Sequence, residues 1–265
     1  MACKVSGTAF ITGGGNEASG IGKTTAFALA QNGIEAVSLL DVNESLLQRT
    51  KDELATSHPQ VAVELTVGDV SKEACVDEAV RRTVERFGRI DISVHCAGIV
   101  GQPSATHELT AAEWQRVIDI NQTGVLLCQK AVIRQMLTQE SRGLRLGRGT
   151  IVNVASMFGV VAPGGWSGLS AYTASKHAVV AFSKMDAKAY IQQEIRINAI
   201  CPGYTDTDMI RTYWDAGYMV PDSQRVAIGR RAQPEEIADA VLFLASPMSS
   251  YMVGSALVVD GGYTA

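Results

Sequence analysis

The chain has 265 residues, 46% of them hydrophobic and 19% charged, with a formal net charge of −4. This composition excludes a disordered chain, and the acidic balance argues against a nucleic-acid backbone or an anionic membrane as the main partner. Five cysteines (Cys3, Cys75, Cys96, Cys128, Cys201) are odd in number and hold no Cys-x-x-Cys pair. No zinc site or disulfide framework is expected from them, and a reducing compartment is.

No apolar run reaches the roughly 18 residues of a membrane span. Residues 1–5 lead straight into a strand-like run without a signal-peptide pattern, so a soluble cytoplasmic protein is expected. Residues 8–12 form a short apolar run that stops at glycines. Residues 21–31 have helical spacing and end at Asn32-Gly33, a C-cap pattern. Residues 36–40 are a second buried run, closed by Asp41. Helices over 44–57 and 72–87 flank a third strand at 61–67, and 90–96 is the fourth.

Thr110-Ala-Ala-Glu113 is a capping box that opens a helix through Ile118, with a second long helix following to about Gln139. Residues 141–149 are rich in Arg and Gly and read as a solvated turn. Then come a strand at 150–154, a helix at 172–190, a strand at 196–200, a helix at 234–245 and a strand at 256–259. Strands alternating with helices imply right-handed crossovers and a doubly wound, mostly parallel α/β sheet of about seven strands, covered on both faces. No linker composition interrupts residues 1–265, so one domain is expected. Residues 204–231 have no clear pattern and read as a functional loop or lid.

The first strand ends in Thr12-Gly13-Gly14-Gly15-Asn16-Glu17-Ala18-Ser19-Gly20-Ile21-Gly22, and a helix follows at once. Glycines there permit a tight turn and a close backbone approach to a pyrophosphate, which the helix N-terminus would receive. Asp41, at the end of the second strand, suits the ribose hydroxyls of an adenosine and repels a 2′-phosphate. It could also serve only to start the turn into the Asn43 helix cap. Glu17 adds negative charge, and no Arg or Lys lies within the loop or at residues 41–43. NAD is therefore expected rather than NADP.

Tyr172-Thr-Ala-Ser-Lys176 places a phenol and an ammonium one helical turn apart on one face. The ammonium, with the positive charge of an oxidised nicotinamide, is expected to outweigh burial and lower the phenol's pKa. Such a tyrosine can exchange a proton with an alcohol or ketone.

With Thr12-Gly13 and Gly20-Ile21-Gly22, Asp69-Val70, Ala97-Gly98, Asn121, Asn153-Val-Ala-Ser156, Tyr172-x3-Lys176, Pro202-Gly203 with Thr207, and Asp260-Gly261-Gly262 in order, the chain resembles the short-chain dehydrogenase/reductase family over nearly its whole length. The resemblance implies a Rossmann-like domain with a nicotinamide cofactor across the strand ends. It implies Tyr172 as acid/base, Lys176 on the nicotinamide ribose, Ser156 on the reacting oxygen and Asn121 holding a relay water. Asp69 and Val70 would face the adenine, Ala97 and Gly98 the adenosine, and Pro202, Gly203, Thr205 and Thr207 the nicotinamide. It also implies a homotetramer, with a dimer as the alternative, through the helices over 110–139 and 172–190 and the last strand.

Three departures stand out. Six residues separate Gly13 from Gly20 where the family has three, which leaves open whether Gly13, Gly14 or Gly15 is the first glycine. The family's Asn-Asn-Ala-Gly reads His95-Cys96-Ala97-Gly98; His95 is expected to be a bonded core residue or a ligand contact. Tyr172 follows Ser156 by 16 positions, about three more than usual, and the surplus loop carries Trp166, which either walls the substrate pocket or packs on a neighbouring subunit. Tyr213, Trp214, Tyr218 and Met219 suggest an aromatic cover for a sizeable apolar substrate. The expected function is an NAD-dependent interconversion of secondary alcohol and ketone. The alternatives are a non-redox isomerase or cyclase in the same pocket, or a catalytically silent dinucleotide sensor.

Overall fold

All five residues of β1 (Thr8–Thr12) are buried, as a strand requires when helices cover both sides of its sheet. The computed structural model describes residues 3–15, 20–164, 168–217 and 224–265. In it β1 is joined by β2 (Ala36–Asp41), β3 (Ala62–Val67), β4 (Ile92–His95), β5 (Gly149–Val154), β6 (Ile195–Pro202) and β7 (Ala256–Val259). The order is β3-β2-β1-β4-β5-β6-β7 and every pairing is parallel. The strand order reverses between β1 and β4, where Thr12 pairs with His95. In such sheets a crevice opens beyond the strand ends at that reversal.

The helices are α1 (Ile21–Gln31), α2 (Glu44–Ser57), α3 (Glu73–Phe87), α4 (Ala111–Ile118), α5 (Val125–Leu137), α6 (Ser170–Tyr190), α7 (Asp208–Asp215) and α8 (Pro234–Ala245). Alternation along the strands divides the core. Ile11, Leu39 and Val94 join Leu29, Leu54 and Val241 on one side. Phe10, Leu40 and Ile151 join Val76, Val132 and Met136 on the other. Period-2 alternation sends successive residues to opposite faces.

Two elements depart from the sequence expectation. The helices expected on either side of Ile118 are one continuous helical segment, because the π-helical turn Asp119–Gly124 joins α4 to α5. Residues 204–231, expected to lack a pattern, contain α7. Among the described residues no helix is long and apolar enough to cross a membrane. Among them, too, no group of three His, Cys, Asp or Glu is placed to hold a metal.

Candidate active site

The glycine loop resolves its own ambiguity. Gly13 has φ +72°, and a Cβ there would stand 2.8 Å from the Ala97 nitrogen. Gly22 packs on Gly13, since its Cβ would meet the Gly13 carbonyl oxygen at 2.3 Å. Gly13 is therefore the first glycine of the turn: only there does the chain need the left-handed region and face the end of β4. Gly14 and Gly15 are tied to the next βα unit instead. Thr50 donates to the Gly14 carbonyl at 3.1 Å, and the Gly15 amide donates to Asp41 Oδ2 at 3.0 Å. Gly20 precedes α1 in extended conformation, with no acidic residue in the first turn. The first amides of α1 thus present free donors and a positive dipole end to an anion. Glu17 lies outside the described residues.

A cleft of about 970 Å3 runs along this loop, lined by Gly13, Gly20, Ile21, Gly22, Asp41, Asp69, Val70, Ala97, Gly98 and Thr207. Burial pushes the Asp41 carboxyl up, while the amides of Asn43, Gly15 and Val42 act the other way. Asp69 accepts from the Ser71 amide at 2.9 Å. Val70 is clamped against the π turn, where a Cβ on Gly124 would come within 2.8 Å of it. Lys23 is turned away: it is buried and paired with Glu53 at 2.8 Å.

An apolar cleft of about 710 Å3 shares Ile21, Cys96, Gly98, Thr207 and Met209 with the first, so the two are continuous. Ser156, Tyr172, Lys176, Pro202, Gly203 and Thr205 line it. Ser156 follows β5 in extended conformation, and its Oγ accepts the Phe158 amide at 3.1 Å. That bond occupies a lone pair and leaves the hydroxyl hydrogen to donate elsewhere. Lys176 donates to the Val154 carbonyl at 2.9 Å and lies 5.7 Å from the centre of the Tyr172 ring. Asn121 sits in the π turn. Its amide donates to the Ile99 carbonyl at 2.7 Å and to Ser175 Oγ at 3.2 Å, and accepts the Ile99 amide at 2.8 Å. A Cβ on Gly98 would lie 3.2 Å from Asn121 Oδ1 and 3.5 Å from Lys176 Nζ. Glycine therefore leaves open the space between those two groups.

The electrostatics differ from the expectation for Tyr172. Burial pushes the phenol above its ordinary value, and the Ser156 hydroxyl opposes this without reversing it. Burial also depresses Lys176, to about 8. The ammonium is spent on a carbonyl rather than on the phenol, so in the chain alone desolvation outweighs its charge.

His95 takes neither part in the clefts nor the role of a ligand contact. It is fully buried, with Nε2 2.8 Å from Ser93 Oγ and Nδ1 2.7 Å from Asn153 Oδ1. Asn153 donates its amide hydrogens to Gln129 Oε1 and Ser183 Oγ, so its Oδ1 accepts. His95 is therefore the neutral tautomer protonated on Nδ1, and Ser93 donates to Nε2. Burial holds its pKa down to about 4. Cys96 beside it is a thiol that burial pushes up to about 12, an unreactive wall.

Tyr213 and Trp214 pack in the aromatic cluster beside the apolar cleft but do not line it. Met209 and Ile210 of the same helix do, together with Phe158, Leu169 and Tyr204. Tyr213 donates to the Gly101 carbonyl at 2.7 Å, and Trp214 is edge-on to Tyr204. The helical period of α7 decides this, and it was not visible in the sequence. Trp166, Tyr218 and Met219 lie outside the described residues.

A family model described as enoyl-(acyl carrier protein) reductase matches residues 14–264. The short-chain dehydrogenase fogB of Aspergillus ruber is 40% identical over 273 residues, covering 98% of this chain and 97% of that protein. The chain belongs to the short-chain dehydrogenase/reductase family. Within that family, a cis-4-hydroxycyclohexanecarboxylate dehydrogenase of Sinomonas cyclohexanicum is 40% identical over 248 residues, 94% of each chain. A crystal structure of an actinorhodin polyketide ketoreductase with NADPH matches with a TM-score of 0.85 at 32% identity, covering 99% of both chains. Short-chain family membership carries oxidoreduction of alcohols and ketones with a nicotinamide dinucleotide.

Proposed function

We propose that the chain is an NAD(H)-dependent oxidoreductase that interconverts a secondary alcohol and a ketone on a sizeable, mostly apolar molecule. The observation that carries this reading is the continuity of the two clefts. Ser156, Tyr172 and Lys176 line an apolar cleft that opens into one bordered by glycines and Asp41. The glycine turn fits a dinucleotide: Gly13 and Gly22 let the loop pack against the end of β4 with no room for a Cβ, and Gly98 leaves open the space before Asn121 and Lys176.

A bound oxidised nicotinamide would supply the hydride acceptor for the carbinol carbon. Gly13, Gly20, Ile21 and Gly22 would hold the pyrophosphate, and Asp41 the adenosine ribose. Asp69, Val70, Ala97 and Gly98 would border the adenosine, and Pro202, Gly203, Thr205 and Thr207 the nicotinamide. Ser156, whose hydroxyl sits beside the Tyr172 phenol, donates its hydrogen to the substrate oxygen. Tyr172 takes the hydroxyl proton as phenolate, and Lys176 favours that charge state. Asn121 fixes Ile99 and α6 and carries the relay water toward Lys176.

The Asp41 carboxylate supports NAD, and Lys23, engaged by Glu53, offers no free charge to a 2′-phosphate. The substrate reading rests on the apolar lining and on the cyclohexane ring named for one relative. A homotetramer is supported by exposed apolar side chains on the expected contact elements: Leu126 and Met185 on α5 and α6, and Met248, Tyr251 and Val258 around β7. Five unpaired cysteines accord with a cytoplasmic setting.

The test is turnover of a panel of ring alcohols and ketones with NAD and NADP, followed at the reduced-nicotinamide absorbance. NAD-linked turnover of apolar ring alcohols is expected. No nicotinamide-linked turnover of any member would overturn the reading in favour of an isomerase or a silent sensor.

A further inference from the structure

Beyond β7 the chain turns back over the apolar cleft. Gly261 (φ +64°) and Gly262 (φ +83°) both take the left-handed conformation. The Asp260 carboxylate secures the turn by accepting the amides of Gly262 and Thr264, each at 2.9 Å. This buries Tyr263, two residues from the end of the sequence, to 5% exposure. Its ring stands edge-on to Phe158 at 5.9 Å and to Tyr204 at 6.1 Å, and both of those side chains line the cleft. Its hydroxyl receives hydrogen bonds from Arg225 Nη1 at 3.1 Å and from the Gly164 amide at 3.4 Å. The Arg225 guanidinium also lies over the ring, 4.8 Å from its centre.

One phenol thus joins four pieces of chain: the turn after Ser156, the exit of β6, the loop before Tyr172 and the segment after α7. The first is a single 3-10 turn over residues 157–159. Backbone bonds tie the β6 exit to the segment after α7, from the Ala232 amide to the Tyr204 carbonyl at 2.8 Å. The Tyr263 side chain adds the link from these to the turn after Ser156 and to Gly164. An aromatic ring fixes distance well, since few torsions must be frozen to hold it. We propose that Tyr263 is a positioning residue that sets the width of the substrate cleft and so selects substrates by ring size. It touches no reacting atom; its ring braces two walls, while its hydroxyl ties down the two flanking segments. The proposal rests on the apolar cleft being the alcohol site.

The test is Tyr263→Phe, which keeps the ring and deletes the hydroxyl. KM is measured for cyclohexanol and for cyclododecanol with saturating NAD, together with the Kd for NAD and the thermal midpoint. Losing a hydrogen bond to a charged group should shift the ratio of the two KM values about fivefold or more, with the NAD Kd unchanged within about twofold. A KM ratio unchanged within about twofold, or parallel losses for both alcohols and NAD, overturns the proposal. A second arm does not depend on turnover. Trypsin should cleave after Arg225 about fivefold faster in Tyr263→Phe than in the unaltered protein, because the guanidinium loses its hydrogen bond to the hydroxyl and keeps only its other contacts. Equal cleavage rates overturn the proposal. If the unaltered protein turns over neither alcohol, the oxidoreductase reading fails, and the trypsin arm still decides the role of Tyr263.

Discussion

Lys176 donates to the carbonyl of Val154 at 2.9 Å, two residues before Ser156 along the chain. The ammonium and the Ser156 hydroxyl are therefore located by one strand end, and the phenol of Tyr172 is brought beside them by α6. In the chain alone burial holds the phenol high, so geometry rather than charge state is what the fold supplies at Tyr172.

Tyr172→Phe should fold and bind NAD normally, because it loses one hydroxyl. Its turnover should fall by about 10² to 10⁴, the usual share of a general acid–base group. Lys176→Ala should lose turnover and also weaken NAD binding. With NAD bound, the pH profile of alcohol oxidation should rise with an apparent pKa below the ordinary tyrosine value of about 10, as the added positive charge counters burial. Steady-state kinetics and NAD titration check all three. A Tyr172→Phe enzyme that keeps most of its activity would falsify the assignment.

Acid stability should report on His95. Its folded pKa of about 4 lies below the ordinary 6.5, so the unfolded chain takes up the proton first. The contribution is complete above about 6.5 and drains away as pH falls toward 4, about 3 kcal/mol in all. Urea midpoints between these pH values should fall more steeply for the unaltered protein than for His95→Asn, which carries no titrating ring. Parallel slopes would show that the imidazole is not the group responsible.

Asp41→Ala should raise the use of NADP relative to NAD. Removing the carboxylate takes away a ribose partner and a repulsive charge together, so the ratio of kcat/KM values should move by about tenfold or more. An unaltered protein that already prefers NADP contradicts the charge argument.

Light scattering should find a tetramer at micromolar concentration. Met185 is 71% exposed on α6, and Met185→Lys should weaken the contact between copies of that helix without altering the monomer's thermal unfolding. A monomeric unaltered protein removes the basis for the assembly.

The parallel sheet was legible because its strands are unbroken apolar runs and its helices are periodic, the two signals least affected by tertiary context. The convergence of Ser156, Tyr172 and Lys176 on one cleft was legible as residue types at fixed offsets. Other features depend on through-space facts that no offset encodes. The charge state of Tyr172 turns first on its burial. The orientation of Tyr213 and Trp214 turns on a helix whose short amphipathic period is hidden among charged and aromatic residues. Whether His95 faced a ligand or the core depended on Asn153, 58 residues away. The first-glycine question needed the sign of a backbone angle at Gly13 and the proximity of Ala97.

The π turn at Asp119–Gly124 makes chain length itself a determinant of the site. Each residue rotates an α-helix by about 100°, and a π turn stores one residue more than the helix needs. Deleting Gln122 would let α4 and α5 close into an uninterrupted α-helix, with full circular-dichroism signal. It would also rotate one half against the other. Then either Asn121 leaves Ile99 and Ser175, or Gly124 leaves Val70. A single-codon deletion in a helix, ordinarily absorbed at its ends, would here separate Asn121 from the cleft wall at Val70 while the secondary structure looks intact.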